Sequence, residues 1–310
     1  DGTLLNMTPA PSSSYSTVVF NIAKIRNQGL EFDIHGDFIR KKDFRWTGNL
    51  NISRNVSKVL DINGGPFSDP NDRDAMNLGT SVVKEGEPLG LLYGRVATGI
   101  IKTQAQLEAA REEFSLWTIF DPYLNLGDIA YEYEDGFWKE DVIGHATPDF
   151  FGGYTNTINW NRFTLTALFT FSYGNDLIYQ KDVSDSGMSS LANRGTRVLN
   201  HYSEDNTSSN RPRSMWATTY MLSSLNVYDA SYLKLKTLSL SYNLPESICR
   251  KVRIKSASVY GTATNVFTIT SYPGPDPEVS DDPTSVIGGG RDVSTYPTVK
   301  SYTFGIRINF

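Results

Sequence analysis

The chain has 310 residues and a formal net charge of −5. That charge argues against a nucleic-acid partner, which usually requires a basic face. Hydrophobic residues make up 39% of the chain, and no stretch approaches the roughly 20 consecutive apolar residues that a transmembrane helix needs. Cys249 is the only cysteine, which excludes an intrachain disulfide and a thiolate metal cluster.

Two segments near the beginning, residues 30–39 and residues 44–53, alternate between apolar and polar residues. Successive side chains of a strand point to opposite faces, so each segment is predicted to be a strand with one apolar and one polar face. Both are longer than the usual five or six residues and match the roughly 9–11 residues that span a bilayer at a tilt. The polar face suits a water-filled lumen, and the residues that this interpretation places there are Glu31, Asp33, Asp37 and Arg45.

The next part of the chain is less regular. Residues 59–88 are rich in Gly, Pro, Asp and Asn and are predicted to form a loop, and residues 89–101 are predicted to form a strand. Residues 104–114 have helical spacing of their apolar side chains, which predicts a single helix within a loop. Residues 127–149 are acidic and irregular. The sequence leaves open whether residues 89–135 contribute two strands or none.

A hairpin follows, with predicted strands at residues 153–159 and 163–173 around a tight turn. Residues 174–230 then form a polar segment too long for a compact soluble domain, although such a length is ordinary on the outer face of a membrane barrel. Aromatic residues of the long loops could stack on sugar rings, contact a protein partner or pack within the loops. The aromatic residues in question are Trp117, Trp138, Trp216, Tyr220 and Tyr228.

The last part of the chain contains three predicted strands. Residues 231–244 form the first, and a short basic turn joins it to the second, residues 256–268. The alternate residues of this second strand that should be apolar have small side chains, so the sequence does not show which face of the sheet they occupy. A long loop at residues 271–297 precedes the terminal strand, which alternates up to Phe310. An aromatic last residue suits the rim of a transmembrane barrel. The alternative is an amphipathic edge strand of a soluble sandwich.

Short and long connections alternate along the chain from residue 30, as they do in bacterial outer-membrane barrels. Aromatic residues flank the short turns, which indicates an aromatic belt at one depth of a membrane. The fold class predicted from these two regularities is all-β, an antiparallel transmembrane β-barrel with long extracellular loops and one short loop helix.

Several motifs resemble those of the SusC/RagA family of TonB-dependent outer-membrane transporters of Bacteroidetes, in the C-terminal part of that family's barrel. Each motif is weak alone, but their order and spacing cover nearly the whole chain. The residues that carry the resemblance are Asn27-Gln28-Gly29-Leu30-Glu31, Gly86-Glu87-Pro88-Leu89-Gly90, Tyr93-Gly94, Gly127-Asp128-Ile129, Asp229-Ala230-Ser231-Tyr232-Leu233-Lys234-Leu235-Lys236, Tyr242-Asn243-Leu244-Pro245, Asn265-Val266-Phe267, Tyr272-Pro273-Gly274-Pro275-Asp276-Pro277-Glu278 and Tyr296-Pro297-Thr298.

The resemblance implies a 22-stranded barrel of which residues 1–310 supply roughly ten C-terminal strands. The N-terminal plug domain, the first strands and the segment that contacts TonB would lie on residues absent here, so the chain is expected to be a fragment. The resemblance further implies multi-pass insertion in a Gram-negative outer membrane, among its lipid and lipopolysaccharide. A SusD-like surface lipoprotein would cap the barrel, and oligosaccharides or peptides would be imported with energy from the inner membrane.

The sequence shows no catalytic signature. Nucleophile-elbow, phosphate-loop and zinc-protease motifs are missing, so we expect neither an enzyme nor a cofactor. Where many relatives carry an Asp/Asn-rich loop after Gly127-Asp128-Ile129, residues 131–136 read Tyr-Glu-Tyr-Glu-Asp-Gly. The alternating ligands of a calcium loop are therefore missing, and no metal is expected.

Two other functions stay open on the sequence alone. One is a passive porin or surface adhesin built on a smaller, complete barrel. The other is a secreted sugar-binding β-sandwich or enzyme, which would bury its apolar row instead of presenting it to lipid. The identity of the substrate, glycan or peptide, is not encoded in a recognisable motif.

Overall fold

The computed structural model describes residues 3–7, 18–62, 74–113, 124–188, 193–214, 221–280 and 289–310. Strands dominate these residues, together with the helices α1 (Gln104–Glu113), α2 (Gln180–Gly187) and α3 (Glu246–Lys251). No helix in these ranges is long and apolar enough to cross a membrane. In chain order, the strands are β1 Thr3–Met7, β2 Val18–Lys41, β3 Phe44–Ile62, β4 Ala75–Asn77, β5 Ser81–Lys84, β6 Leu91–Arg95, β7 Ala97–Ile100, β8 Ile129–Tyr131, β9 Tyr133–Glu134, β10 Phe137–Trp138, β11 Glu140–His145, β12 Phe150–Trp160, β13 Phe163–Tyr173, β14 Asp176–Tyr179, β15 Val227–Asp229, β16 Tyr232–Asn243, β17 Ser256–Thr270, β18 Arg291–Asp292 and β19 Ser301–Asn309.

Eight of these strands form one sheet, in the order β1-β2-β3-β12-β13-β16-β17-β19, which we call the large sheet. Each pair of neighbours is antiparallel. Strand β3 pairs directly with β12, so the described residues between them add no strand to this sheet. The single strand predicted at residues 89–101 is instead split into β6 and β7, which belong to two different small sheets. The predicted loop helix is confirmed as α1, but the expectation of a single loop helix is wrong, because α2 lies in the segment 174–230 that was predicted to be a loop.

The register of the large sheet places apolar residues of six strands in continuous rows on one face. The register also shows which residues of β17 lie on the apolar face, because Gly261 is placed between Leu240 and Phe304 in an apolar row. Two apolar rows are Phe44–Trp160–Phe163–Tyr242–Val259–Ile306 and Trp46–Ile158–Leu165–Leu240–Gly261–Phe304. The opposite face is polar, with hydroxyl side chains throughout the row Thr47–Thr157–Thr166–Ser239–Thr262–Thr303.

The apolar face of the large sheet is not covered by other described parts of the chain. Ile306 is 68% exposed, Phe304 84% and Phe310 92%, and Leu30, Phe32 and Ile34 of β2 are likewise exposed. A soluble sandwich would bury these side chains in its core, because burial of apolar surface is the main favourable term in folding. The expected burial of a sandwich core is therefore not observed for this face.

Aromatic side chains gather at the end of the large sheet where the connections are short. The ring centroids of Phe163 and Tyr242 are 4.7 Å apart, and those of Trp160 and Phe163 are 6.3 Å apart. The turn between β12 and β13 places Asn161 at φ = 51°, a conformation that Asn tolerates well. Neighbouring turns touch, since the amide of Asn161 donates to the carbonyl oxygen of Asp43 at 2.8 Å. The predicted clustering of aromatics at one end is confirmed.

The described residues of the ranges 74–149, 174–231 and 271–300 form the other end of the molecule, which we call the loop assembly. It consists of small sheets, short helices and turns. Its apolar side chains form closed clusters, one around Met76 and Val83, to which the far end of β3 contributes Val59, and another around Leu177 and Tyr272. The buried core of this protein therefore lies mostly in its long connections.

Candidate functional site on the polar face

The four residues predicted to face a lumen lie on the polar face of the large sheet. Glu31 is opposite Ser53 and Asp33 is opposite Asn51 across the β2–β3 ladder, and all four of these residues belong to the polar phase. Arg45 Nε donates to Asp37 Oδ1 at 3.0 Å. The structure thus gathers these charges on one surface, although their contact with a substrate stays a prediction.

Part of the loop assembly folds onto this polar face. Lys234 of β16 pairs with Thr170 and Thr268, which places it on the polar side. Its ammonium donates to Asp276 Oδ1 at 2.9 Å and to Glu278 Oε2 at 2.7 Å. The segment formed by residues 271–280 is therefore anchored to the polar face of the large sheet, near the end that carries the loop assembly.

The anchor is almost dry. The side chains of Lys234 and Asp276 are 1% and 2% exposed, and Asp276 also accepts hydrogen bonds from the hydroxyl of Thr298 at 2.5 Å and from the backbone amide of Glu278 at 3.0 Å. Lys236 donates to Glu278 Oε1 at 2.9 Å. Every charge in the cluster has an opposite charge within hydrogen-bond distance, which is the condition for burying charged groups.

Both carboxyl groups of the 271–280 segment are held in their charged form. Burial acts to raise the pKa of Asp276, but hydrogen bonds from Thr298, the Glu278 amide and Lys234 outweigh it, and the pKa is lowered. Burial likewise opposes ionisation of Glu278, but Lys234 and Lys236 lower its pKa. The Thr298 hydroxyl, the Glu278 amide and the two cations on β16 together keep both carboxyl groups of this segment ionised over the polar face.

Tyr272 anchors the beginning of the same segment. Its hydroxyl donates to Asp292 Oδ2 at 2.9 Å, and Asp292 is fully buried. Asp292 also accepts the backbone amide of Ser294 at 3.0 Å. Burial, together with the Asp292 carboxylate, raises the pKa of Tyr272. The segment is thus tied down at both of its ends.

Tyr228, one of the aromatics predicted to contact a substrate or partner, has its hydroxyl engaged within the loop assembly. The hydroxyl donates to Asp182 Oδ2 at 2.6 Å, and Arg197 donates to the hydroxyl oxygen at 3.2 Å. Asp182 accepts a further bond from Arg211 at 2.7 Å. Burial and the Asp182 carboxylate raise the pKa of Tyr228. This geometry matches the alternative in which loop aromatics pack within the loops.

Trp138 lies in a stack with a cation. The guanidinium of Arg95 is 3.9 Å from the centroid of the Trp138 ring and 5.9 Å from that of Tyr131. One face of the indole is therefore already occupied. The other three aromatics predicted to contact a substrate or partner, Trp117, Trp216 and Tyr220, lie outside the described residues.

A cavity of about 550 Å³ lies between the polar face and the loop assembly. Phe151 and Tyr232 of the large sheet form one side of it, and Leu177, Pro277 and Glu278 form the other. This combination of aromatic rings and one charged group is typical of small-ligand pockets. Sequence reasoning missed the cavity because its walls come from segments more than 100 residues apart, and no local pattern joins them.

Comparison with known proteins found relatives along nearly the whole chain. No protein-family model matches it. The chain is 31% identical over 312 residues to TonB-dependent receptor P3 of Formosa agariphila, which covers 97% of this chain and 31% of the relative. It is 23% identical over 327 residues to TonB-dependent receptor SusC of Bacteroides thetaiotaomicron, covering 99% of this chain and 29% of the relative. The chain thus spans about a third of the length of these curated relatives.

Solved structures of similar fold were also found. The structure of the RagAB peptide transporter contains a chain with a TM-score of 0.75 and 21% identity, covering 99% of this chain and 32% of that one. The RagAB peptide importer in its "closed-closed" state gives a TM-score of 0.74 at 22% identity, with 100% and 32% coverage. At this identity the likeness concerns the fold alone.

Proposed function

The chain belongs to the SusC/RagA family of TonB-dependent receptors, and we propose that it forms the C-terminal part of a transmembrane β-barrel that imports nutrients across a Gram-negative outer membrane. The plug domain and the remaining strands are assigned to residues outside these 310, since the chain spans about a third of its relatives. In this proposal, the large sheet closes into a barrel together with strands formed by those other residues.

The observation that carries this proposal is the division of the large sheet into two faces. Apolar rows cross six neighbouring strands on one face, and hydroxyl-rich rows cross the same strands on the other. A contiguous exposed apolar surface of this extent is uncommon on soluble monomers. In a bilayer the same surface is matched to hydrocarbon, and the polar face lines an aqueous interior.

The two ends of the sheet support an orientation. The short turns carry the aromatic belt, and bacterial barrels keep their short turns in the periplasm and their long loops outside. The loop assembly is therefore assigned to the extracellular side. There, a SusD-like lipoprotein is the proposed partner, and lipopolysaccharide surrounds the barrel.

Oligosaccharides or peptides are the proposed substrates, drawn past the polar face in a TonB-dependent cycle. Hydroxyl groups, amides and the charges at Glu31, Asp33, Asp37 and Arg45 suit either substrate class. RagAB, a peptide transporter, contains a chain with the same fold. Uptake of labelled peptides and of labelled oligosaccharides by cells with and without functional TonB separates the two classes. Uptake that persists without TonB indicates a passive porin instead.

Membrane insertion is tested by placing a charge on each face of a single strand. Phe169 of β13 lies between Tyr154 and Leu235 on the apolar face. An arginine near the midplane on the lipid side of a barrel costs about 2–4 kcal/mol. We therefore expect Phe169→Arg in the full-length protein to reduce strongly the folded, heat-modifiable form that is recovered from outer membranes.

Thr166→Arg is the matched control for this test. Thr166 is in the same strand, but it lies between Thr157 and Ser239 on the polar face. An arginine there enters an aqueous interior, so assembly should stay close to that of the unsubstituted protein. If both variants assemble equally well, the assignment of the apolar face to lipid is wrong.

A further inference from the structure

The short-turn end of the large sheet is strongly basic although the whole chain is acidic. The three short connections together with the last two residues of β2, residues 40–43, 161–162 and 244–255, contain eight Lys and Arg residues and two carboxylates. In residues 244–255 the only ion pair found among the described residues joins Arg250 to Glu246 at 3.0 Å. Excess cations are thus concentrated at one end, at the level where the apolar face meets water.

The longest of these connections has the composition of a segment that lies in a membrane interface. Helix α3 and the turn after it expose Ile248 and Val252, the latter by 61%. Lys251 and Arg253 are exposed beside them. Apolar side chains alternating with cations at a membrane surface are favoured by anionic headgroups, which bind the cations while the apolar groups enter the boundary region.

A groove lies on the apolar face along the two strands that this connection joins, and its lining reaches Tyr242 and Val259 near their turn ends. It has a volume of about 860 Å³ and follows β16, β17 and β19. Its floor is formed by the small residues Gly261 and Ala263 of β17, and its sides are formed by larger ones such as Leu240 and Phe304. The groove exists because the apolar phase of β17 is made of small side chains between two strands of large ones.

We propose that this groove and the cations of residues 251–255 form a binding site for an anionic phospholipid. The phosphate would contact Lys251, Arg253 and Lys255, and one acyl chain would occupy the groove. Charge selects the ligand, because an excess of cations beside an apolar groove is complementary to an anionic headgroup that carries an acyl chain. The inference rests on the proposed function, since it requires the apolar face to be in a membrane.

The orientation selects a phospholipid rather than lipopolysaccharide, which is also anionic and acylated. The short turns face the periplasm in the proposed orientation, and phospholipid forms that leaflet of an outer membrane. Lipopolysaccharide occupies the opposite leaflet, next to the loop assembly. The site is therefore expected to retain phosphatidylglycerol in preference to the net-neutral phosphatidylethanolamine.

Native mass spectrometry of the full-length protein in mild detergent tests the headgroup contacts. Phosphatidylglycerol is titrated into delipidated protein, with phosphatidylethanolamine and lipopolysaccharide as competing probes. We expect Lys251→Gln/Arg253→Gln/Lys255→Gln to weaken phosphatidylglycerol binding by about 100-fold, given the usual contribution of cations at an anionic surface. The matched control is Arg40→Gln/Lys41→Gln/Lys42→Gln, which removes three cations from the end of β2 and the turn after it and should leave binding unchanged.

The groove is tested with one further pair of variants. Ala263→Phe fills the groove and should weaken phospholipid binding, whereas Leu50→Phe places a ring on the apolar face of β3, outside the groove, and should not. Equal loss of phosphatidylglycerol binding in a variant and its control overturns the inference, as does preferential retention of lipopolysaccharide or of phosphatidylethanolamine.

Outer-membrane fractionation is run on every variant. Protein that is absent from the membrane contradicts the proposed function, whereas membrane-inserted protein that does not bind phosphatidylglycerol contradicts the lipid site alone.

Discussion

The large sheet and the loop assembly place their side chains by opposite rules. On the apolar face of the sheet, Phe304 and Ile306 are exposed, whereas the loop assembly buries Asp182 and Asp292 among hydrogen-bond donors. One chain therefore contains a region whose apolar groups point outwards and a region with closed apolar cores. This contrast follows if the two regions fold against different solvents, hydrocarbon for the sheet and water for the loops.

The contrast also separates what stabilises each region. Neighbouring strands of the large sheet are joined by long backbone ladders, and the exposed side chains of its apolar face gain little from packing on one another. The loop assembly depends on small apolar clusters and on buried ion pairs such as Lys234–Asp276. Perturbations of charge should therefore open the loop assembly and leave the large sheet intact.

Acidification is expected to show the largest difference between the two regions, because it neutralises both carboxylates of the 271–280 segment at once. The pKa values of Asp276 and Glu278 are held below their ordinary values of 3.8 and 4.5. Such groups stabilise the folded state at every pH above the ordinary value, and their contribution is lost as the pH falls through the lowered value. The segment should stay anchored at pH 7 and pH 5 and be released below about pH 4.

Hydrogen exchange of the detergent-solubilised protein, corrected for the intrinsic pH dependence of amide exchange, measures this release. Residues 271–280 should lose protection in acid, while β13 and β16 keep theirs. Simultaneous loss of protection in the sheet and the segment would show that the two regions do not respond separately to charge.

Removal of one buried cation should have the next largest effect. Lys234→Met leaves Asp276 in a dry site without its main partner, and breaking a buried pair in this way costs about 3–5 kcal/mol. Lys236→Met is the matched control, because Lys236 is partly exposed and, among the described residues, forms an ion pair with Glu278 alone. Exposed pairs contribute about 0–1 kcal/mol.

Limited proteolysis within residues 271–280 reports the difference between these two variants. We expect rapid cleavage in Lys234→Met and nearly unchanged cleavage in Lys236→Met, with the same amount of full-length protein recovered from membranes in both. Equal cleavage would mean that the segment is held by contacts other than the buried cation.

The sequence predicted the large sheet well, for a physical reason. Alternation along a strand determines which face each residue occupies, so the apolar rows through Phe163 and Leu165 could be read without knowing which strands are neighbours. The facing of β17 could not be read, because Gly261 and Ala263 are too small to mark a face. The face that Gly261 occupies becomes clear only from the register, which places it between Leu240 of β16 and Phe304 of β19.

The loop assembly was much less predictable. Lys234 and Asp276 each lie in a motif that the sequence singled out, but 42 residues separate them, and no periodicity connects a strand to a distant loop. Strand β6 ends at Arg95 and β7 begins at Ala97 in another sheet, so the single strand predicted at residues 89–101 is two strands in the fold. Irregular segments are specified by tertiary contacts, which local patterns do not encode.

The smallest expected effect concerns a single hydroxyl group in each region. Tyr228→Phe removes the donor to Asp182 and the acceptor for Arg197, and leaving buried polar groups unsatisfied costs about 1–3 kcal/mol. Hydrogen exchange should therefore accelerate in α2 and β15.

Tyr242→Phe is the control in the aromatic belt of the large sheet, where the described residues provide no hydrogen bond to the hydroxyl and the ring contact with Phe163 is kept. It should leave exchange in β16 unchanged. Similar acceleration in both variants would show that the hydroxyls of the belt are as important as those of the loop assembly, which would contradict the assignment of different solvents to the two regions.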